Sequence, residues 1–174
     1  MRRLLVTLMP VAAALAVSAP APAWAPAPFE GAWMSCETYR EAEICSYKLL
    51  VQRGRRVCGV QRYFATSAYY EQRFVGTVTG NAARIEKICG DPGSETDTYC
   101  TGRAPRDAAK IGWGASDDKL FQCRGRLFVG AGDTAASCKG VKPGMGMPRV
   151  RTLGAQGPAP DDHAWLAACA AGRE

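Results

Sequence analysis

The chain has 174 residues, 22 Lys and Arg against 16 Asp and Glu, a formal net charge of +6, eight cysteines and one histidine. A single histidine excludes clustered-histidine metal centres and leaves triad catalysis only one base to recruit. So mild a positive charge predicts no nucleic-acid partner unless it gathers on one face.

Residues 1–23 have the form of an export leader. Arg2 and Arg3 precede an apolar stretch, and a small-residue tract follows, with cleavage expected between Ala23 and Trp24. No cysteine lies near that junction, and no later stretch approaches the roughly 18 apolar residues a membrane helix needs. The expectation is a periplasmic or secreted protein without membrane insertion.

Residues 29–140 read as one all-β domain of strand, turn and strand. Residues 44–52 and 55–64 flank Arg53-Gly54 and alternate with period two. Tyr47, Leu49, Val51, Cys58 and Val60 fall on one face; Ser46, Lys48, Gln52, Arg55 and Gln61 fall on the other. That is the pattern of a half-buried antiparallel hairpin. A second hairpin spans 69–89 around Gly80-Asn81. A third, KLFQCRGRLFVG at 119–130, resembles KLLVQRGRRVCG at 48–59 with the Arg-Gly aligned. Short runs at 99–103 and 110–115 bring the expected total to about eight strands, forming a small antiparallel barrel or sandwich. Glycine and proline then fill 141–160, a linker or surface strap. Asp161 offers an N-cap for a short helix within 161–174.

All eight cysteines, Cys36, Cys45, Cys58, Cys89, Cys100, Cys123, Cys138 and Cys169, lie beyond the leader. In an oxidising compartment an even set reads as disulfides, with 105 possible pairings. Cys89 with Cys100 and Cys36 with Cys45 close short loops. Cys58 with Cys123 would tie the related hairpins together, and Cys138 with Cys169 would hold the tail. No C-x₂₋₄-C pair is present, so neither a zinc site nor any cofactor is expected.

Candidate chemistry is sparse. His163 sits on the terminal helix and reads as a solvent-facing residue. Glu71 and Glu86 fall on facing strands, where salt bridges to Arg73 and Arg84 compete with a carboxylate-hydrolase role. Asp117-Asp118 reads as a turn and Asp161-Asp162 as a cap. Asp91, Glu95 and Asp97 read as a solvated acidic loop. Arg53, Arg55 and Arg56 at one hairpin tip, with Arg124 and Arg126 at another, would form a rim for carboxylates or phosphates if the tips converge. The alternative is that charged tips keep turns soluble. Tyr63, Phe64, Tyr69 and Tyr70 bracket the 65–68 turn and either line a barrel mouth or cap the core.

The segment Phe29-Glu30-Gly31-Ala32-Trp33 resembles the first-strand G-x-W of lipocalin-like (calycin) barrels. With Cys45 and Leu49-Leu50 its spacing is also similar to that of bacterial periplasmic inhibitors of secreted metalloproteases. The resemblance implies an eight-stranded barrel with Trp33 plugging the closed end, and an inserting trunk at 24–29. With no catalytic constellation, the expected function is a non-enzymatic binding protein, an inhibitor or immunity-type partner of a secreted or wall-active hydrolase. Alternatives are a barrel that binds a small molecule or envelope glycan in an apolar or aromatic-lined mouth, and a carboxylate-dependent hydrolase.

Overall fold

The computed structural model describes residues 27–64, 69–94, 96–130, 138–142, 144–154 and 157–173, and the side chain of Tyr69 is outside that description. The leader at 1–23, the first three residues of the 24–29 trunk, the 65–68 turn and Glu95 also lie outside it.

Nine strands form: β1 Gly31–Tyr39, β2 Ala42–Arg53, β3 Arg56–Phe64, β4 Tyr69–Thr79, β5 Ala82–Gly90, β6 Gly114–Ala115, β7 Lys119–Cys123, β8 Arg126–Gly130 and β9 Met147–Val150. One helix, α1, covers Pro160–Ala170. The sheet order β4-β3-β2-β1-β9-β8-β7-β5, with β4 also paired to β5, closes eight antiparallel strands into a barrel. Two-residue β6 hangs on the upper half of β5. The expected all-β, disulfide-stapled barrel is therefore what forms, and closure removes the sheet edges that would otherwise stay unpaired.

The 141–160 stretch is not only a strap. It contains β9, which pairs Trp33 with Arg149 and Leu127 with Met147 and so completes the ring between β1 and β8. The runs at 99–103 and 110–115 supply isolated bridges and β6 instead of two full strands. Helix α1 begins at Pro160 with Ala159 as its N-cap and no side-chain cap, so Asp161 and Asp162 sit in the first turn. Proline at the first helical position loses no hydrogen bond there.

Both faces of the first hairpin are buried, not one. Phe29, Trp33, Leu50, Val57, Phe74, Val78, Ile85, Leu120, Leu127 and Met147 fill the barrel interior. On the outside, Cys58, Val60 and Val75 join Leu166 and Cys169 of α1 in a second core, flanked by Leu49, Val51, Trp113 and Trp165. The apolar face of β2 and β3 is thus the outer one, roofed by the helix. The opposite face, which carries Lys48, Gln52 and Gln61, points inward.

Two glycines make specific features possible. A Cβ on Gly59 would lie 2.1 Å from the Phe74 ring, so its absence lets that ring lie across β3. A Cβ on Gly76 would lie 2.3 Å from the Arg84 carbonyl oxygen, at the bulge where the β4–β5 register skips Glu86.

The disulfides are Cys36–Cys45, Cys58–Cys169, Cys89–Cys100 and Cys123–Cys138. The two short-range pairings form as expected; the other two partners are exchanged. Cys58 lies on β3 and Cys123 on β7, with β4 and β5 between them. At about 4.8 Å per strand that gap exceeds the reach of a disulfide. Cys169 is instead held over Cys58 by the helix, and Cys138 takes Cys123. Cys36, Glu43 and Cys45 form the one group with metal-ligand proximity among the described residues, and both its sulfurs are in the disulfide.

Candidate functional site: a polar barrel mouth

The register stacks residues in rows around the barrel wall. One inward row runs Trp33, Lys48, Gln61, Gln72 and Gly90 across β1 to β5. The row beneath holds Leu50, Gly59, Phe74 and Ile88, so the lower barrel is apolar and closed. The row above contains Tyr63 and Tyr70, whose rings stack with centroids 5.3 Å apart.

Trp33 is fully buried at the lower end. Its indole N–H donates to the Phe29 carbonyl at 3.2 Å, and the Arg149 guanidinium lies 4.7 Å from its ring. Phe29 is itself buried, its N–H donating to Gln52 Oε1. Gln122 and Arg149 both donate to the Pro28 carbonyl. Pro28 and Phe29, the described end of the expected trunk, are therefore built into the closed end and do not project from it.

Above the polar row lies a cavity of about 440 Å³, lined by Gln61, Tyr70, Gln72, Ile88, Thr96, Asp97, Thr98, Lys110, Gly114, Ala115 and Asp118. Its wall depends on Gly90, where a Cβ would lie 1.8 Å from Ser94 Oγ and 2.8 Å from Thr96 Oγ1. The Cys89–Cys100 bridge pins that loop, and Thr96 Oγ1 donates to the Thr98 carbonyl at 2.9 Å. Asp97 and Lys110 face each other at 3.7 Å on the rim. The lining is therefore polar, not the apolar or aromatic surface expected of a small-molecule mouth.

Lys48 is 8% exposed and donates to Gln61 Oε1, while Gln61 Nε2 donates to Gln72 Oε1. Burial lowers the Lys48 pKa to about 8, partly opposed by the charge of Asp118. Period-two alternation groups Lys48 with Gln52 and Gln61 on the face expected to meet solvent, and the structure turns that face into the barrel, because alternation alone does not separate an inward lysine from an outward one.

A second polar cluster sits outside the barrel, under the start of α1. Arg103 binds Glu71 at 2.8 Å, Asp91 at 3.0 Å, Asp161 at 2.6 Å and Asp162 at 2.7 Å. Arg62 also pairs with Glu71, and Arg73 with Asp161 and Asp162. Burial and the neighbouring Asp162 raise the Glu71 pKa against the pull of Arg103 and Arg62. Burial also opposes the charge of Asp162, but hydrogen bonds with Glu71, Arg103 and Arg73 lower its pKa on balance. Burial likewise opposes the charge on Arg103, yet its carboxylate partners raise its pKa overall. Glu71 and Asp162 are 1% and 0% exposed, so the cluster clamps the helix to the barrel and offers no opening for substrate.

Glu86 is the exposed bulge residue and has no register partner on β4, so Glu71 and Glu86 do not form a pair. Among the described residues neither Arg73 nor Arg84 bridges Glu71 or Glu86; Glu71 pairs with Arg62 and Arg103, and Arg73 serves α1. His163 is exposed on the helix, as its position predicted.

The antiparallel order places the β2–β3 and β7–β8 turns at the closed end of the barrel, away from the mouth. Most of their arginines have internal partners. Arg53 pairs with Glu30 at 3.1 Å, Arg55 donates to the Val78 carbonyl, Arg56 to the Cys169 carbonyl, and Arg126 to those of Met145 and Gly146. Arg124 is exposed with a φ of 51°, serving its turn. Tyr70 lines the cavity, the side chain of Tyr69 lies outside the described residues, and Phe64 is half-buried. The closed barrel with a buried first-strand tryptophan is compatible with a lipocalin-like architecture, but no family model, curated protein or solved structure matches the chain.

Proposed function

We propose that this is an exported, non-enzymatic binding barrel whose mouth takes a small, hydroxyl-rich polar ligand such as a sugar unit of an envelope glycan. The observation that carries the reading is the 440 Å³ mouth cavity, in which amides, hydroxyls, carboxylates and one tyrosine converge. That volume is within the range of small-ligand sites. Amides and carboxylates offer the paired donors and acceptors a polyol requires, and Tyr70 offers an aromatic surface beside them. A protein inhibitor would use a rigid scaffold with free charged tips and, by the family resemblance, a projecting trunk. Most of those tips have internal partners, and Pro28 and Phe29 are built into the barrel, so the features of this chain favour the small ligand.

Saturation-transfer NMR against neutral, amino and acidic mono- and disaccharides tests the reading. At least one class should give signal, and Tyr70→Ala should abolish it while far-ultraviolet dichroism stays unchanged. Silence across the panel, with stoichiometric capture of one protein from periplasm or culture medium, would return the assignment to an inhibitor or immunity-type partner.

A further inference from the structure

The hydrogen-bond polarity of the barrel floor is fixed by one residue. A lysine ammonium has only donors. Gln61 must therefore turn its carbonyl oxygen toward Lys48 and its NH₂ toward Gln72, and Gln72 must in turn present its oxygen to Gln61. The row thus ends on the Gln72 NH₂, a donor with no acceptor among the described residues, at the surface of the cavity. Lys48 itself has Gln61 as its one hydrogen-bond partner and no ion pair among the described residues. It is a buried cation, 8% exposed, lacking the carboxylate such a group usually requires. Asp118 faces it only from the half-buried cavity wall, and Lys110 on the rim is matched by Asp97.

Two linked features therefore ask for the same thing: a buried positive charge beneath the floor, offset only in part by Asp118, and the donor that this charge aligns in the floor. We infer that the ligand carries a carboxylate, which accepts from Gln72 Nε2 and offsets the Lys48 charge at a distance, across the Gln61–Gln72 row, as in a uronic acid or a comparable hydroxy acid. This rests on the reading of the mouth as a polyol site and narrows its ligand class. The hydroxyls of the same ligand would meet Thr96, Thr98 and Asp118, and its ring face would meet Tyr70.

A matched pair of probes separates this inference from the reading beneath it. Calorimetric titration with galacturonate and with galactose should show the acid binding at least about tenfold tighter, the scale of a hydrogen bond to a charged group. Lys48→Gln and Lys48→Met should each collapse that ratio towards one, chiefly by weakening galacturonate. Equal binding of the two sugars by the native protein would overturn the inference and leave the polyol site standing. An acid preference that survives both Lys48 variants would overturn the role of the lysine. No binding of either sugar would overturn the inference, and silence across the whole saccharide panel would overturn the reading beneath it.

Discussion

Lys48 occupies an inward position where an apolar side chain would normally stand, and its cost to the empty barrel is measurable. Its folded pKa, about 8, lies below its unfolded value near 10.5. Between these values the unfolded chain binds more protons, so stability should rise as pH climbs from about 8 to about 10.5. The gain is on the order of 3 kcal/mol. Urea melts across that range should show the rise, and Lys48→Met should remove it while being the more stable protein at pH 7. Parallel curves for the two proteins would contradict a buried charge. Gly59 makes the opposite kind of test. An added methyl group would meet the Phe74 ring at 2.1 Å. Gly59→Ala should therefore cost about 1–3 kcal/mol in a thermal melt, the scale of overpacking.

At the scale of elements, α1 is fastened by two unlike devices. The Cys58–Cys169 bridge joins residues 111 positions apart. By the chain-entropy account its removal should cost about 4–5 kcal/mol. Arg103 gathers four carboxylates at 2.6–3.0 Å, so Arg103→Ala strands buried charge and should cost about 3–5 kcal/mol. The exposed Arg53–Glu30 pair is the internal control, and Arg53→Ala should stay within about 1 kcal/mol. Equal losses for the two arginines in the same melt would refute the clamp. The hairpins themselves were legible because period-two alternation and Arg-Gly or Gly-Asn turns are local signals. The two related hairpins nonetheless differ in their turns. Arg53 pairs with Arg56 in one, but Cys123 pairs with Arg126 in the other, a one-residue offset against the aligned letters. That offset sends Leu49 outward and Leu120 inward. Nor could alternation alone reveal that β2 is covered on both sides, because the covering helix lies more than a hundred residues away.

For the whole molecule, closure depends on four residues that composition disguises. Met147–Val150 sits among glycines and prolines, too short to show alternation, yet it pairs with both β1 and β8. A chain ending at residue 140 would lack β9 and α1 and leave two open edges. It should elute from a sizing column as aggregate and lose its cooperative transition; a monomeric, cooperatively melting fragment would show that closure is dispensable. The mouth was legible only in part. Tyrosines flanking a turn were visible, whereas its charged floor requires the register of four strands to assemble. The bridge pattern has a further consequence for biogenesis. Three of the four bonds join cysteines adjacent in chain order, but the Cys58–Cys169 bond encloses two of those pairs. An oxidase meeting the thiols as they emerge would find Cys89 and every later candidate long before the correct one arrives. Native yield should therefore depend on a reshuffling catalyst, and Cys58→Ser with Cys169→Ser should remove that dependence.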